Sequence, residues 1–118
     1  MRHLLLALSL CLSFAAQAGE IDQTTALQAL ERPDTVLIDV RTQEEFATGA
    51  LPGATLIPHG QIGARIAQLV PDKDTPVVLY CRSGRRSSIA QDRLQALGYR
   101  QVINAGGYDS LQPALSGD

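Results

Sequence analysis

With 118 residues, 45% of them hydrophobic, and 10 Lys and Arg against 12 Asp and Glu, the chain has the size and balance of one globular domain. Its pI of about 5.6 excludes a nucleic-acid binder of the usual strongly basic kind. No stretch after the first 18 residues reads as a basic amphipathic helix, so a membrane-surface role has no support either.

The N-terminus opens with Met1-Arg2-His3, a short basic segment, followed by the apolar run LLLALSLCLSF (residues 4–14). Ala16-Gln17-Ala18 then supplies the small-x-small pattern of a secretory signal. A spanning helix needs about 20 apolar residues, and this run is shorter. Cys11 follows Leu10, not the small residue that a lipidation site needs. The expectation is a signal peptide over residues 1–18, cleavage after Ala18, and an exported, periplasmic domain over residues 19–118. That mature chain carries 9 basic and 12 acidic residues, a net charge near −3, and one cysteine, Cys81. A lone thiol in an oxidising compartment cannot close a disulfide within its own chain. It is buried and inert, paired with another chain, or reactive.

Apolar runs and helical patterns then alternate. Thr24 or Thr25 is expected to cap a helix over ALQALER. TVLIDV (residues 35–40) is apolar without alternation, the mark of a central strand covered on both faces. ATLIP is a shorter candidate of the same kind. Ile62, Ile66, Leu69 and Val70 fall on one helical face and are expected in the core. PVVLYC (residues 76–81) is the second central strand. Ala90, Leu94 and Leu97 repeat the helical spacing, and Gly98 follows as a stop signal. QVINA closes the series of strands. This alternation implies an α/β sandwich in three layers, with a central, mainly parallel sheet flanked by helices. Such sheets bind ligands at the carboxyl ends of their strands. Asp39 with Arg41, and Cys81 with its arginines, both follow strand ends and are expected to share one edge.

CRSGRR (residues 81–86) joins the second central strand to a helix expected to begin near Ser87. A loop curling over a helix N-terminus turns its backbone N–H groups inward and forms an anion nest. Gly84 supplies the positive φ that such a curl requires. A sulfur in that nest is favoured as thiolate, below the free-thiol pKa of about 8.5. Arg82, Arg85 and Arg86 add a cationic rim for an anionic substrate, and Ser83 and Ser87 offer loop or cap hydrogen bonds. The exit of a central strand followed by this basic turn is a poor place to hide an inert thiol, so the reactive reading is favoured.

LIDVRTQEEFATGALPGATLIP, then PVVLYCRSGRRSSIAQDRLQALGY, then NAGGYDSL, resemble a single-domain rhodanese, the thiosulfate sulfurtransferase family. Asp39-Val40-Arg41, Glu45-Phe46, residues 49–54, residues 81–86 and Gly106-Gly107 match that family's motifs in order and spacing. Ala50 departs from the histidine usual at its position, and Leu111 from the aromatic residue common after the double glycine. The resemblance implies a rhodanese-like fold and a sulfurtransferase in which Cys81 takes sulfane sulfur from thiosulfate or a related donor. The resulting persulfide gives the sulfur to a thiophilic acceptor such as cyanide or a thiol. Arg82, Ser83, Gly84, Arg85 and Arg86 would bind substrate, with no metal and no cofactor. A sulfur-accepting protein partner is compatible with it; nucleic acid is not implied, nor is a membrane after signal cleavage.

Two rivals stand beside this reading. One is a persulfide carrier serving a partner protein with little turnover of its own. The other is a phosphatase or arsenate reductase, but phosphatases sharing this fold use Cys-x5-Arg, and counting from Cys81 that position is Ser87, with Arg86 one short. Asp39 and Arg41 are expected to support the site structurally, through an ion pair such as Arg41 with Glu45. His59, alone in the mature chain, cannot assemble a zinc site and reads as a surface loop residue. Gly106-Gly107 reads as a turn.

Overall fold

A computed structural model describes residues 20–117. The expected signal peptide therefore lies outside the described residues. Four strands form one sheet in the order β2-β1-β3-β4: β1 (Val36–Asp39), β2 (Thr55–Leu56), β3 (Val77–Cys81) and β4 (Val102–Gly107). Every pairing is parallel, with Val36 opposite Val77 and Asp39 opposite Tyr80 at the centre. The helices are α1 (Gln23–Leu30), α2 (Gln43–Thr48), α3 (Ile62–Leu69), α4 (Arg85–Ala96) and α5 (Tyr108–Ser116), with a 3-10 turn over His59–Gln61.

The unbroken apolar strands have the cause expected of them: both faces of the sheet are covered. Val77, Leu79 and Cys81 point to one side, into a cluster with Ile62, Ile66, Ala90 and Leu94 of α3 and α4. Val78 and Tyr80 point to the other, against Ala26, Ala29 and Leu111 of α1 and α5. This is the expected three-layer sandwich.

Local details refine the sequence reading. The cap of α1 is Asp22, not a threonine; its carboxylate accepts the Thr25 N–H at 3.1 Å. Leu69 and Leu97, expected in the core, are each 37% exposed; Leu69 is the last residue of α3 and Leu97 the C-cap of α4, so both stand at helix ends. Gly98, at φ 100°, does end α4. Helix α2 opens on a reciprocal capping box, Thr42 with Glu45. Gly106-Gly107 is not a free turn but the end of β4. Pairing there steps from Leu79 opposite Asn104 to Cys81 opposite Gly107, so β4 holds one extra residue, a bulge with Gly106 at φ 92°.

Candidate active site

β1 and β3 are neighbours in a parallel sheet, so their carboxyl ends bring Asp39 and Cys81 to the same edge. The chain leaving β3 curls at once. Gly84, at φ 97°, turns the loop back over the sulfur, and its N–H donates to Cys81 Sγ at 2.9 Å. The Ser87 hydroxyl stands 3.4 Å from the same sulfur. The loop is seated from behind: a side chain at Gly107 would collide with the Arg82 carbonyl, and one at Gly84 with the Ile21 side chain. Helix α4 begins at Arg85, two residues before the expected start, so its first turn lies under the loop.

Cys81 is fully buried. Burial alone pushes its thiol pKa up, yet hydrogen bonds from the Ser87 hydroxyl and from the amides of Ser87, Gly84 and Ser83 outweigh this and bring it below the ordinary value. Burial and activation are thus not alternatives here: the side chain packs in the apolar cluster, and its sulfur still receives polar hydrogen bonds from the loop.

The three loop arginines have different surroundings. Arg82 lines an open cleft of about 410 Å³ together with Arg41, Glu44, Glu45, Tyr108 and Asp109. Arg85 is exposed and outside that lining. Arg86 is not a free rim cation: its two terminal nitrogens donate to the two Glu45 oxygens at 2.8 and 3.0 Å, tying α4 to α2. That pairing holds the Glu45 carboxyl far below its usual range, at about 2. It also corrects the expected partner of Arg41.

Arg41 pairs with Asp39. Its Nε reaches both carboxylate oxygens at 3.0 Å, Nη2 reaches Oδ2 at 2.7 Å, and Nη2 also donates to the Gly49 carbonyl at 2.7 Å. Both side chains are almost wholly buried. The guanidinium lies 4.7 Å from the Tyr108 ring centroid and 5.5 Å from that of Tyr80. The support role expected of Asp39 and Arg41 therefore takes a definite form, a clamp on the loop after α2 and one wall of the cleft.

A profile for the rhodanese-like domain matches residues 22–114. The chain belongs to the rhodanese family. Over 81 residues it is 42% identical to the thiosulfate sulfurtransferase PspE of Escherichia coli K12, covering 68% of this chain and 78% of that protein. A sulfurtransferase of Allochromatium vinosum is 40% identical over 90 residues, 75% of this chain and 82% of that one. Among solved structures, a rhodanese with anions from Escherichia coli superposes with a TM-score of 0.62 at 41% identity, covering 64% of this chain and 88% of that one.

Three residues near the rhodanese loop carry parts that sequence reasoning did not assign. Tyr108 stacks on Arg41 and lines the cleft. Glu45 fastens Arg86. Asn104, fully buried, donates through Nδ2 to the Gly84 carbonyl at 3.1 Å and lies 2.7 Å from the Ser87 hydroxyl. A signal for Asn104 was present: an amide in the middle of an apolar strand has to find partners or destabilise the fold. His59 sits apart, half-buried in the 3-10 turn beside Gly63, Ile89, Asp92 and Arg93.

Proposed function

We propose that the protein is an exported thiosulfate sulfurtransferase working through a Cys81 persulfide. The observation that carries this is the sulfur in its nest, one N–H at 2.9 Å and a hydroxyl at 3.4 Å, with the next residue, Arg82, lining an open cleft. The similarity to a relative named thiosulfate sulfurtransferase supports the choice of donor. Cys81 thiolate attacks the outer sulfur of thiosulfate. A new S–S bond forms, the old one breaks, and sulfite leaves with its electron pair. A thiophilic acceptor, cyanide or a thiolate, then attacks the terminal sulfur and releases Cys81 as thiolate. This is covalent catalysis in two half-reactions, so ping-pong kinetics follow. The amides and the Ser87 hydroxyl hold charge on sulfur in the first step and stabilise the leaving thiolate in the second. Arg82 receives the sulfonate, Arg41 paired with Asp39 braces the cleft wall, and Arg86 keeps α4 and α2 together.

The experiment is intact mass. The exported protein should begin at Gly19, gain one sulfur atom with thiosulfate and lose it to cyanide, and Cys81→Ser should do neither. Sulfur loading that persists in Cys81→Ser would sink the mechanism. Loading without turnover would make the protein a persulfide carrier, and an uncleaved chain retained in the cytosol would contradict export.

A further inference from the structure

Asn104 does more than fill its place in β4. Its amide orientation is settled by two backbone groups that have no choice. The Gly106 N–H, turned inward by the bulge, donates to Oδ1 at 2.9 Å, and the Gly84 carbonyl accepts from Nδ2 at 3.1 Å. Oδ1 can therefore only accept. Ser87 Oγ lies 2.7 Å from that Oδ1 and 3.4 Å from Cys81 Sγ. A hydroxyl has one proton to give. At 2.7 Å it goes to Asn104, and a neutral Cys81 thiol then donates its own proton to Ser87 Oγ. Once the thiol proton has left to solvent, the sulfur can only accept, and the hydroxyl must turn toward it. Asn104 Oδ1 keeps the Gly106 N–H and is not orphaned by the turn. The Gly84 carbonyl, 3.1 Å from Ser87 Oγ, is a poor third choice, since it already accepts from Ser88 N–H at 3.0 Å and from Asn104 Nδ2.

We propose that Asn104 is a positioning residue for Cys81: its side-chain carbonyl and the Cys81 sulfur compete for the single Ser87 proton, and the hydroxyl alternates between them as the sulfur gains and loses charge. The inference deepens the proposed function, in which Cys81 Sγ carries the charge before loading and is the uncharged inner sulfur of a persulfide, with the charge on the outer sulfur, after it. Asn104 gives the hydroxyl a second acceptor in the neutral stage, and its competition keeps the thiolate from being over-stabilised. That matters because nucleophilicity falls as a thiol's pKa falls.

The test reads ionisation of Cys81 in the full chain, by thiolate ultraviolet absorbance against pH, with the profile of Cys81→Ser subtracted to remove Cys11 and the tyrosines. Arg86 is the charged group that senses Cys81, with its partner Glu45 and then Arg41, paired to Asp39, beyond it. None of these is altered. Asn104→Ala removes the competitor, so the midpoint should fall by about half a unit to one unit, the scale of one neutral hydrogen bond. In a Ser87→Ala background the same substitution should shift it by less than about a quarter of a unit, since little of that hydrogen bond is left to lose. Asn104→Asp strengthens the acceptor and should raise the midpoint, more with Ser87 present than without it. A residue that merely held the loop would do the reverse: Asn104→Ala would loosen the nest and raise the midpoint. A rise, no change, or equal shifts with and without Ser87 overturns the proposal. If Asn104→Ala fails to fold by circular dichroism, Asn104→Asp, of equal size, decides alone, and an equal rise in both backgrounds overturns it. Wild-type protein that takes no sulfur from thiosulfate would refute the proposed donor and leave this result standing.

Discussion

β1 and β3 run side by side in register, and each ends in a group suited to negative charge, the Asp39 carboxylate and the Cys81 sulfur. The first is met by a full positive charge, a guanidinium locked by four contacts within 3.0 Å. The second is met by amide and hydroxyl dipoles, which carry no net charge. An ion pair consumes its charge in holding structure, and Arg41 accordingly ties down Gly49 and stacks on Tyr108. Dipoles favour the anion without neutralising it, so the sulfur keeps its charge for a reaction. Two adjacent strand ends thus separate the work of bracing the site from the work of reacting in it.

The largest effect should come from breaking the brace. Asp39→Ala leaves a buried guanidinium without its counter-charge, and a loss of about 3–5 kcal/mol is expected in chemical denaturation. Sulfur loading per folded molecule should fall far less. A loss below about 1 kcal/mol, the scale of a surface pair, would mean that the pair is not a clamp.

An intermediate effect should come from Gly84→Ala. A side chain at φ 97° is strained by about 1–2 kcal/mol, and here it also meets Ile21. Because Gly84 supplies the N–H at 2.9 Å, its displacement should also raise the pH midpoint of Cys81 ionisation. Strain with no change in that midpoint would show the amide to be dispensable.

The smallest effect belongs to the third charge arrangement, Glu45 with Arg86, which is partly exposed. Glu45→Gln should cost about 1 kcal/mol at neutral pH, as expected of a partly solvated bidentate pair. The Glu45 pKa is depressed in the folded state, to about 2, so its contribution is present in full above the ordinary carboxyl value of about 4.3 and is lost as pH falls toward the folded one. The stability gap between wild type and Glu45→Gln should therefore be constant above about pH 5 and close as pH falls toward about 2. A gap that persists in acid would assign Glu45 to the capping box alone.

The legibility of these features from sequence follows the range of the interactions behind them. β1 and β3 are readable because strands covered on both faces must be apolar throughout, and Gly84 because few residues other than glycine accept its backbone. The nest is local to residues 81–87 and is readable for that reason. The partner of Arg41 is not: Asp39 and Glu45 both stand within four residues, and only the burial of Asp39 decides between them. The tie from Arg86 to Glu45 spans 41 residues and leaves no periodic trace. Helix α5 is obscured because it starts directly from a strand with no capping side chain and contains Pro113.

The way the loop is seated has a consequence for the order of folding. The amides that favour the thiolate lie within a few residues of Cys81, but what holds them in place is distant in sequence. Asn104 and the Gly106 bulge follow later in the chain, and Ile21, bridged to Asn104, comes from the segment ahead of α1, before any strand of the sheet. In a growing chain, or in any fragment lacking β4, Cys81 is an ordinary free thiol whose reactivity is set by solvent pH. The activated sulfur comes into being only when β4 docks against β3 and Ile21 closes over Gly84. Its appearance is therefore a chemical marker that the two ends of the domain have come together around the loop.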